Sequence, residues 1–517
     1  MDENARSSRP RDESTTPLRT ESTERTPLIR QDQARKPPAR TPTPLPKWQI
    51  ATLLFLQLSE PVTSQSIYPF INELIQHLDV IKGDERRAGY YAGLLESLFF
   101  ACEATTVLFW SHLSDVVGRR PVLFLGFAGL SVSMVSFGLS KTFLGLALSR
   151  CLAGFLNGYS GVIKGMMGEM TDPSNMAQAF AYIPVVWSVG ATLGPFIGGA
   201  LSRPAERFPS LFGNSPFWET YPYFLPCLVA AIFPLASLVV TLISLRETRK
   251  RRPQLKRPPR TPLLRHSSMA GSFLGHPTRS ALEDELRNIH EAEDEAAPPL
   301  RSILTRRVFI AVLNYSLLSL IDIAFLAIEP VFYATSIPSG GLGLSPPTIG
   351  LCLGLYGMLM GIFHAAFFAK FHARLGAKTL LMLTQFATIP IFLMFPMINF
   401  LARLYGKSAI TWIALCFQLS LCIFADMSGG CAFIYVTLSA PNRRSLGATN
   451  GLVAAVTAAI RAVGPAAATS LFAASLEHNL LHGLLVYFVL IGLVILAVFA
   501  ASLLPDNEED WDDDDGS

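Results

Sequence analysis

The feature of this sequence that most limits its fold is a succession of about twelve apolar runs. Each run is close to the roughly 20 residues that an α-helix needs to cross a bilayer core of about 30 Å. Half of the residues are hydrophobic and only 16% are charged, which is too apolar for a soluble protein of 517 residues. We therefore predict an all-α polytopic membrane protein with twelve transmembrane helices. The runs are 49–73, 90–110, 121–140, 143–165, 178–201, 221–245, 307–334, 347–369, 377–400, 409–437, 447–475 and 482–504.

Polar stretches divide the chain around these runs. The first tail is rich in Arg, Pro, Ser, Thr and Glu and has too few apolar residues to bury a core, so we expect it to be disordered. An even number of spans places both tails on one side of the membrane. The predicted parts are a disordered tail (1–47), an N-terminal six-helix bundle (48–245), a linker (246–305), a C-terminal six-helix bundle (306–504) and an acidic tail (505–517).

Basic residues collect on one side of this topology. Short cytoplasmic loops are enriched in Lys and Arg, so that side is predicted to be cytoplasmic, and with it both tails and the linker. The residues concerned are Arg35, Lys36, Arg40, Lys47, Arg119, Arg120, the basic run within 246–265, Lys370, Arg374, Lys378, Arg443 and Arg444.

The turn at 110–121, Trp-Ser-His-Leu-Ser-Asp-Val-Val-Gly-Arg-Arg-Pro, joins the second and third runs. An ordinary cytoplasmic loop explains its arginines but not an acid three residues before the glycine. The turn resembles the gating loop of the major facilitator superfamily, Gly-x-Leu-x-Asp-Arg/Lys-x-Gly-Arg-Arg/Lys. Ser111 replaces the first glycine and Val116 replaces the first basic residue. The matching residues are Leu113, Asp115, Gly118, Arg119 and Arg120.

The two halves of the chain share further features. The loop Arg374-Leu-Gly376-Ala-Lys378 lies between the eighth and ninth runs, as Gly118 and its arginines lie between the second and third, although Ala373 stands where the first copy has its acid. The dipeptide Gly464-Pro465 in the eleventh run repeats Gly194-Pro195 in the fifth. Two related six-helix halves are typical of facilitators, so we expect two pseudo-symmetric bundles, the major facilitator fold.

The fifth run carries a glycine pattern. Glycines allow close approach of a neighbouring helix, and an internal proline bends a helix. The pattern Gly-x-x-x-Gly-Pro-x-x-Gly-Gly resembles the one in the proton-antiporter branch of the superfamily; the alternative is a generic packing face of small residues. Its residues are Gly190, Gly194, Pro195, Gly198 and Gly199.

Acidic residues inside apolar runs are candidates for proton coupling or for the substrate cavity. Each costs several kcal/mol unless it is paired, hydrated or protonated. Glu96 and Glu103 are two helical turns apart and share a face; with Glu60 opposite, we expect the three to line one cavity, although each could instead be a structural ion pair. Lys164 and Arg461 are their natural partners. The candidates are Glu60, Glu96, Glu103, Asp322, Glu329 and Asp426.

Arg150 in the fourth run resembles the arginine of the family's Arg-x-x-x-Gly motif, completed here by Gly154. A guanidinium keeps its proton, so it must face a cavity or an acid. The resemblance implies a part in proton coupling; the alternative is an arginine that extends from the helix end to the membrane surface.

The segments 58–61, 66–70 and 157–172 resemble fungal and plant zinc-induced facilitator-like transporters. This implies exchange of cations or metal-linked organic solutes for protons, but the subfamily's cysteine motif is absent, so we expect neither a zinc substrate nor a metal site. We expect a proton-coupled antiporter that exports or sequesters a small organic solute by alternating access. The alternatives are a proton symporter or uniporter for uptake and a non-transporting receptor. No nucleotide loop or nucleophile–base pair indicates an enzyme.

The substrate site is expected between the first, fourth, seventh and tenth helices. Its partners would be a small molecule, protons and the lipid bilayer, without nucleic acid or a bound cofactor, and the chain would act as a monomer driven by the proton gradient. Residues 24–29 resemble an acidic dileucine sorting signal, which favours the vacuolar membrane over the plasma membrane of a fungus. Aromatic side chains expected in the site are Tyr68, Tyr315, Phe325, Phe332 and Tyr356.

Overall fold

The structure is a computed structural model that describes residues 45–78, 87–171, 175, 179, 182–245, 304–440 and 446–505. These residues belong to one compact unit, Pro44–Ser517. Every regular element within the described ranges is helical, which confirms the all-α prediction. The sorting-signal candidate at 24–29, most of the linker, Arg443, Arg444, the acidic tail and the side chain of Asp115 lie outside the described residues.

The helices of the first half are α1 (Lys47–Gln57), α2 (Ser59–Gln65), α3 (Ile71–Gln76), α4 (Ala88–Val117), α5 (Arg119–Gly138), α6 (Phe143–Leu156), α7 (Tyr159–Met170), α8 (Ile183–Ala200), α9 (Pro204–Arg207), α10 (Pro209–Phe212), α11 (Pro216–Thr220) and α12 (Phe224–Ile243). Those of the second half are α13 (Arg306–Ala334), α14 (Pro346–Leu375), α15 (Ala377–Tyr405), α16 (Ala409–Ala425), α17 (Ser428–Leu438), α18 (Leu446–Glu477) and α19 (Leu485–Ser502).

Twelve helical segments of membrane-crossing length can be traced through the described residues, and we number them spans 1 to 12. They are α1 with α2, α4, α5, α6 with α7, α8, α12, α13, α14, α15, α16 with α17, α18 and α19. Nine of them are long and apolar enough by themselves to cross a membrane. The other three, spans 1, 2 and 4, are interrupted or contain glutamates, and each contributes to the polar site described below.

The breaks in spans 1 and 4 follow from local sequence. Pro61 and Pro69 have no N–H with which to bond the carbonyls of Gln57 and Gln65, and these two residues are the last of α1 and α2. Span 4 changes direction at Asn157, where the backbone leaves the helical region before α7 begins. Both interruptions lie beside polar residues of the helix interior.

The two halves meet along two close helix pairings, α8 with α14 and α4 with α18, which we call the glycine seams. A Cβ added to Gly350 would lie 2.3 Å from the Pro195 carbonyl oxygen, and one added to Gly93 would lie 1.8 Å from Thr469 Oγ1. Only glycine allows these backbones to approach so closely. Since span 5 corresponds to span 11 and span 2 to span 8, the seams are equivalent positions of two related halves.

The buried core distinguishes the two ends of the bundle. We call the end with the α4–α5 turn the arginine end and the opposite end the far end. One hydrophobic cluster contains residues of both halves, including Ile75, Ala88, Phe332 and Phe472, and lies toward the far end. At the arginine end each half has a separate cluster. The halves are therefore packed together at the far end and separate at the arginine end.

Candidate functional site

A cavity of about 540 Å³ lies between the halves. The four spans expected to form it contribute, and spans 2, 5, 8, 9 and 11 contribute as well. Asp322 and Arg461 are exposed although both lie inside apolar spans, so water reaches this interior. Its charged and ionisable lining residues are Glu60, Tyr68, Glu103, Lys164, Tyr315, Asp322, Glu329, Tyr356, His364, Cys422, Asp426 and Arg461.

The first half supplies two glutamates to this cavity. Gln57 Nε2 donates to Glu60 Oε2 at 3.3 Å and also reaches Ser160 Oγ at 3.3 Å. Asn157, at the break in span 4, donates through Nδ2 to Glu103 Oε1 at 2.9 Å. Amide donors thus orient both carboxylates.

The second half supplies three further acids. His364 Nε2 lies 3.3 Å from Asp426 Oδ2, and Asp426 stands where α16 ends and the backbone turns into α17. Asp322 is near enough to Asp426 and Arg461 for their charges to interact. Glu329, two turns along α13 from Asp322, is only 1% exposed. It accepts a hydrogen bond from the Tyr333 hydroxyl at 2.9 Å.

Glu96 does not line the large cavity with Glu60 and Glu103. It is buried instead with Arg150, whose Nη2 donates to Glu96 Oε2 at 3.1 Å, while the Tyr68 hydroxyl donates to Glu96 Oε1 at 2.7 Å. The guanidinium carbon of Arg150 lies 4.6 Å from the centre of the Phe99 ring. The expectation of three carboxylates in one cavity was wrong for Glu96, because α4 presents that turn to span 4. The buried ion pair also excludes an arginine that extends to the surface.

The residues of the α4–α5 turn tie the first half together at the arginine end. Gly118 adopts φ 114°, which favours glycine. Arg119 donates to Ser114 Oγ at 2.5 Å and to Glu169 Oε1 at 2.8 Å. Arg120 donates to the Leu242 carbonyl at 2.6 Å. The turn therefore links spans 2 and 3 to the ends of spans 4 and 6.

The glycines of span 5 pack against span 1 as well as span 8. Added Cβ atoms at Gly190 and Gly198 would lie 2.4 Å from Pro61 Cβ and 1.9 Å from the Ser66 carbonyl oxygen. Gly199 lies on the other side, against Pro346 and Gly350. The motif thus places α8 between the broken span 1 and the opposite half.

Comparison with known proteins decides the family. Residues 53–465 match the model of the Major Facilitator Superfamily. The chain belongs to the major facilitator superfamily. The efflux pump azaK of Aspergillus niger is 30% identical over 89% of each chain. Protein ZINC INDUCED FACILITATOR-LIKE 1 of Arabidopsis thaliana is 26% identical over 83% of this chain and 84% of its own. The crystal structure of the human organic anion transporter MFSD10 is 21% identical, with a TM-score of 0.56 over 89% of this chain and 100% of that one.

This facilitator is therefore an integral membrane transporter of solutes with the predicted fold, and its relatives include the subfamily that the first and fourth spans resemble. Members of the superfamily bind small molecules within a membrane. Within the described residues, no group of three His, Cys, Asp or Glu side chains is placed to hold a metal ion.

The aromatic residues of the facilitator separate into two sets. Tyr68, Tyr315, Phe325 and Tyr356 line the cavity as expected. Phe332 does not: it is fully buried in the shared core, with its ring centre 4.9 Å from that of Phe395. Trp187 and His364 line the cavity but were missed by sequence reasoning. Both lie in ordinary apolar runs, and only the pairing of spans 5 and 8 reveals which face is interior.

Proposed function

We propose that this facilitator is a proton-coupled antiporter that moves a small organic solute by alternating access. The observation that carries the proposal is that carboxylates from both halves face one cavity, in a molecule whose halves share a hydrophobic core only toward the far end. Such carboxylates are costly in a membrane interior and mark ion and substrate pathways. The proton gradient would supply the driving force, with no bound cofactor, to a protein acting as a monomer.

The cavity acids provide a means of exchange. Glu60 and Glu103 interact electrostatically with each other, and each has an amide donor that orients it. A proton that binds this pair from one side of the membrane removes charge before the cavity closes. Release of the proton on the other side restores the charge, so proton and solute alternate in the same cavity.

The coupling site extends to the buried pair of Glu96 and Arg150. Tyr68 lines the cavity and donates to Glu96, so it connects the pair with the solute. Movement of Tyr68 on solute binding would remove one hydrogen bond from Glu96 and so leave its carboxylate bonded to Arg150 alone.

The direction of access follows from the charge of the loops. By the preference of cytoplasmic loops for Arg and Lys, the arginine end faces the cytoplasm with both tails. The present conformation is then open to the cytoplasm and closed at the far end. Rocking of the halves along the glycine seams would reverse this. We propose efflux across the plasma membrane or sequestration across the vacuolar membrane.

The test is proton flux in proteoliposomes under an imposed pH gradient, with a panel of organic cations, weak acids and amino acids. We expect one class of solute to dissipate the gradient in the antiport direction, and Glu103→Gln or Glu60→Gln to reduce the coupled flux at least tenfold. Glu219→Gln, an exposed acid on α11, is the matched control and should leave flux unchanged. Solute movement without proton movement would contradict antiport, and flux of both in the same direction would indicate a symporter.

A further inference from the structure

We infer that the solute is an organic cation and that its ammonium group pairs with Glu329 at the closed end of the cavity. The inference rests on the proposed transport function and adds to it the chemical class of the substrate. It comes from the balance of charge in the cavity, the bonding of Glu329 and the side chains around it.

The cavity contains more acid than base. Five carboxylic residues line it, namely Glu60, Glu103, Asp322, Glu329 and Asp426. The basic residues in its lining are Lys164, Arg461 and His364, and His364 Nε2 lies 3.3 Å from Asp426 Oδ2. A solute that carries positive charge improves this balance, whereas an organic anion makes it worse.

Glu329 is a cavity acid with a buried oxygen that has no hydrogen-bond partner among the described residues. Its Oε1 accepts from the Tyr333 hydroxyl at 2.9 Å, while its Oε2 is buried without a hydrogen-bond partner among the described residues. The residue is 1% exposed and yet lines the cavity. A buried carboxylate oxygen without a donor is unfavourable, and an N–H group of a solute would satisfy it.

The position of Glu329 suits the inner end of a binding site. It lies five residues before the end of α13, beside Pro330, whose carbonyl accepts from Asn72 Nδ2 of the first half at 3.2 Å. That bond crosses between the halves at the closed far end. A solute that enters from the arginine end would therefore meet Asp322 first and reach Glu329 last.

The surrounding side chains favour an organic ammonium over a metal ion. The titratable groups near Glu329 are Tyr333 on its own helix, Cys352 and Tyr356 on α14 and Cys422 on α16. Phe325, Leu326 and Leu353 complete an apolar wall. This wall has one carboxylate, two phenols and two thiols, and no group of three possible metal ligands occurs among the described residues. It therefore matches a cation with hydrocarbon substituents, because aromatic faces attract such cations. A cavity of about 540 Å³ accepts a drug-sized molecule.

The test measures equilibrium binding to the purified full-length protein at one pH, without a membrane gradient. The probes are 2-phenylethylammonium and tetraphenylphosphonium as cations, 2-phenylethanol as a neutral analogue and 3-phenylpropionate as an anion. We expect saturable binding of at least one cation, at least tenfold tighter than binding of the alcohol or the anion. Tighter binding of the anion, or no binding of either cation, would overturn the inference.

Variants then identify the acid that pairs with the ammonium group. Glu329→Gln keeps the shape of the side chain and should weaken binding of 2-phenylethylammonium at least tenfold, while Glu219→Gln leaves it unchanged. Asp322→Asn should weaken binding less than Glu329→Gln does. A larger loss in Asp322→Asn would show that Glu329 is not the acid that pairs with the ammonium group. If Glu329→Gln does not yield folded protein, Tyr356→Leu tests the same wall and should weaken cation binding more than alcohol binding.

The binding test and the flux test fail separately. Cation binding that depends on Glu329 but occurs without coupled proton flux would retain the substrate class and reject antiport. Proton flux coupled to an anion in the antiport direction would retain antiport and reject an organic cation as the substrate.

Discussion

Glu96 and Arg150 show how a charged side chain is accommodated in the interior of this protein. Both are about 95% buried, and Arg150 Nη2 bonds Glu96 Oε2 directly. Tyr68 and the face of Phe99 complete the surroundings. A buried pair adds little net stability, but removal of one partner leaves the other charge unpaired in an apolar interior.

At the residue scale, we therefore expect Arg150→Met to destabilise the folded protein by about 3–5 kcal/mol. The double variant Glu96→Gln with Arg150→Met should recover most of that loss, since no buried charge remains. Thermal unfolding in detergent measures both. Arg306→Met changes an exposed arginine and serves as the control; equal losses in the single and double variants would show that Arg150 acts through packing alone.

Glycines determine how closely neighbouring helices of this facilitator pack against each other. Gly350 on α14 lies against Pro195 and Gly199 of α8, close to the far end. Gly492 on α19 has no atom within 4 Å of an added Cβ. Gly350 is therefore in tight contact with the opposite helix, whereas Gly492 has room for a methyl group and can serve as its control.

At the element scale, Gly350→Ala should hold the far ends of α8 and α14 apart, because its Cβ would lie 2.3 Å from a backbone oxygen. Overpacking of this kind costs about 1–3 kcal/mol and should shift the protein toward a conformation open at the far end. Spin labels at Leu211 on α10 and at Leu481 between α18 and α19, both exposed at the far end, measure the distance in a background without native cysteines. Gly492→Ala should leave that distance unchanged; an unchanged distance in Gly350→Ala would mean that the seam relaxes locally.

The whole molecule is held in one conformation by the shared core and by a few polar bonds across the far end. Arg87, just before α4, donates to Glu477 at the end of α18 at 2.6 Å. Asn72 and Pro330 form a second bond between the halves. At the arginine end the separate cores leave the cavity accessible.

At this scale, Arg87→Glu should favour the conformation open at the far end. An exposed ion pair contributes at most about 1 kcal/mol, so the population should change up to about fivefold and less at high salt. The label pair at Leu211 and Leu481 reports the change. The charge-swapped double variant, Arg87→Glu with Glu477→Arg, should restore the original distance distribution, and failure to do so would assign the effect to other contacts of Arg87.

The helical spans could be predicted from the amino-acid sequence, because each apolar run must satisfy its backbone hydrogen bonds internally in a membrane. The sequence also indicated the family through Gly118, Arg119 and the glycines of span 5, since these residues serve local turns and close contacts. The acids of the cavity could be named for the same reason: their cost in an apolar run is visible without a structure.

The surroundings of those acids, in contrast, depend on how the helices pack together. Helical periodicity places Glu96 and Glu103 on one side of α4, but the residues that contact each of them come from span 4. Arg150 of that span donates a hydrogen bond to Glu96, and Asn157 donates one to Glu103. The same limit explains Phe332, which packs in the core, and Glu329, which lines the cavity and has one buried oxygen without a hydrogen-bond partner among the described residues. The contacts of a helix face are made with residues distant in the chain, so the sequence of that helix alone does not show which residues they are.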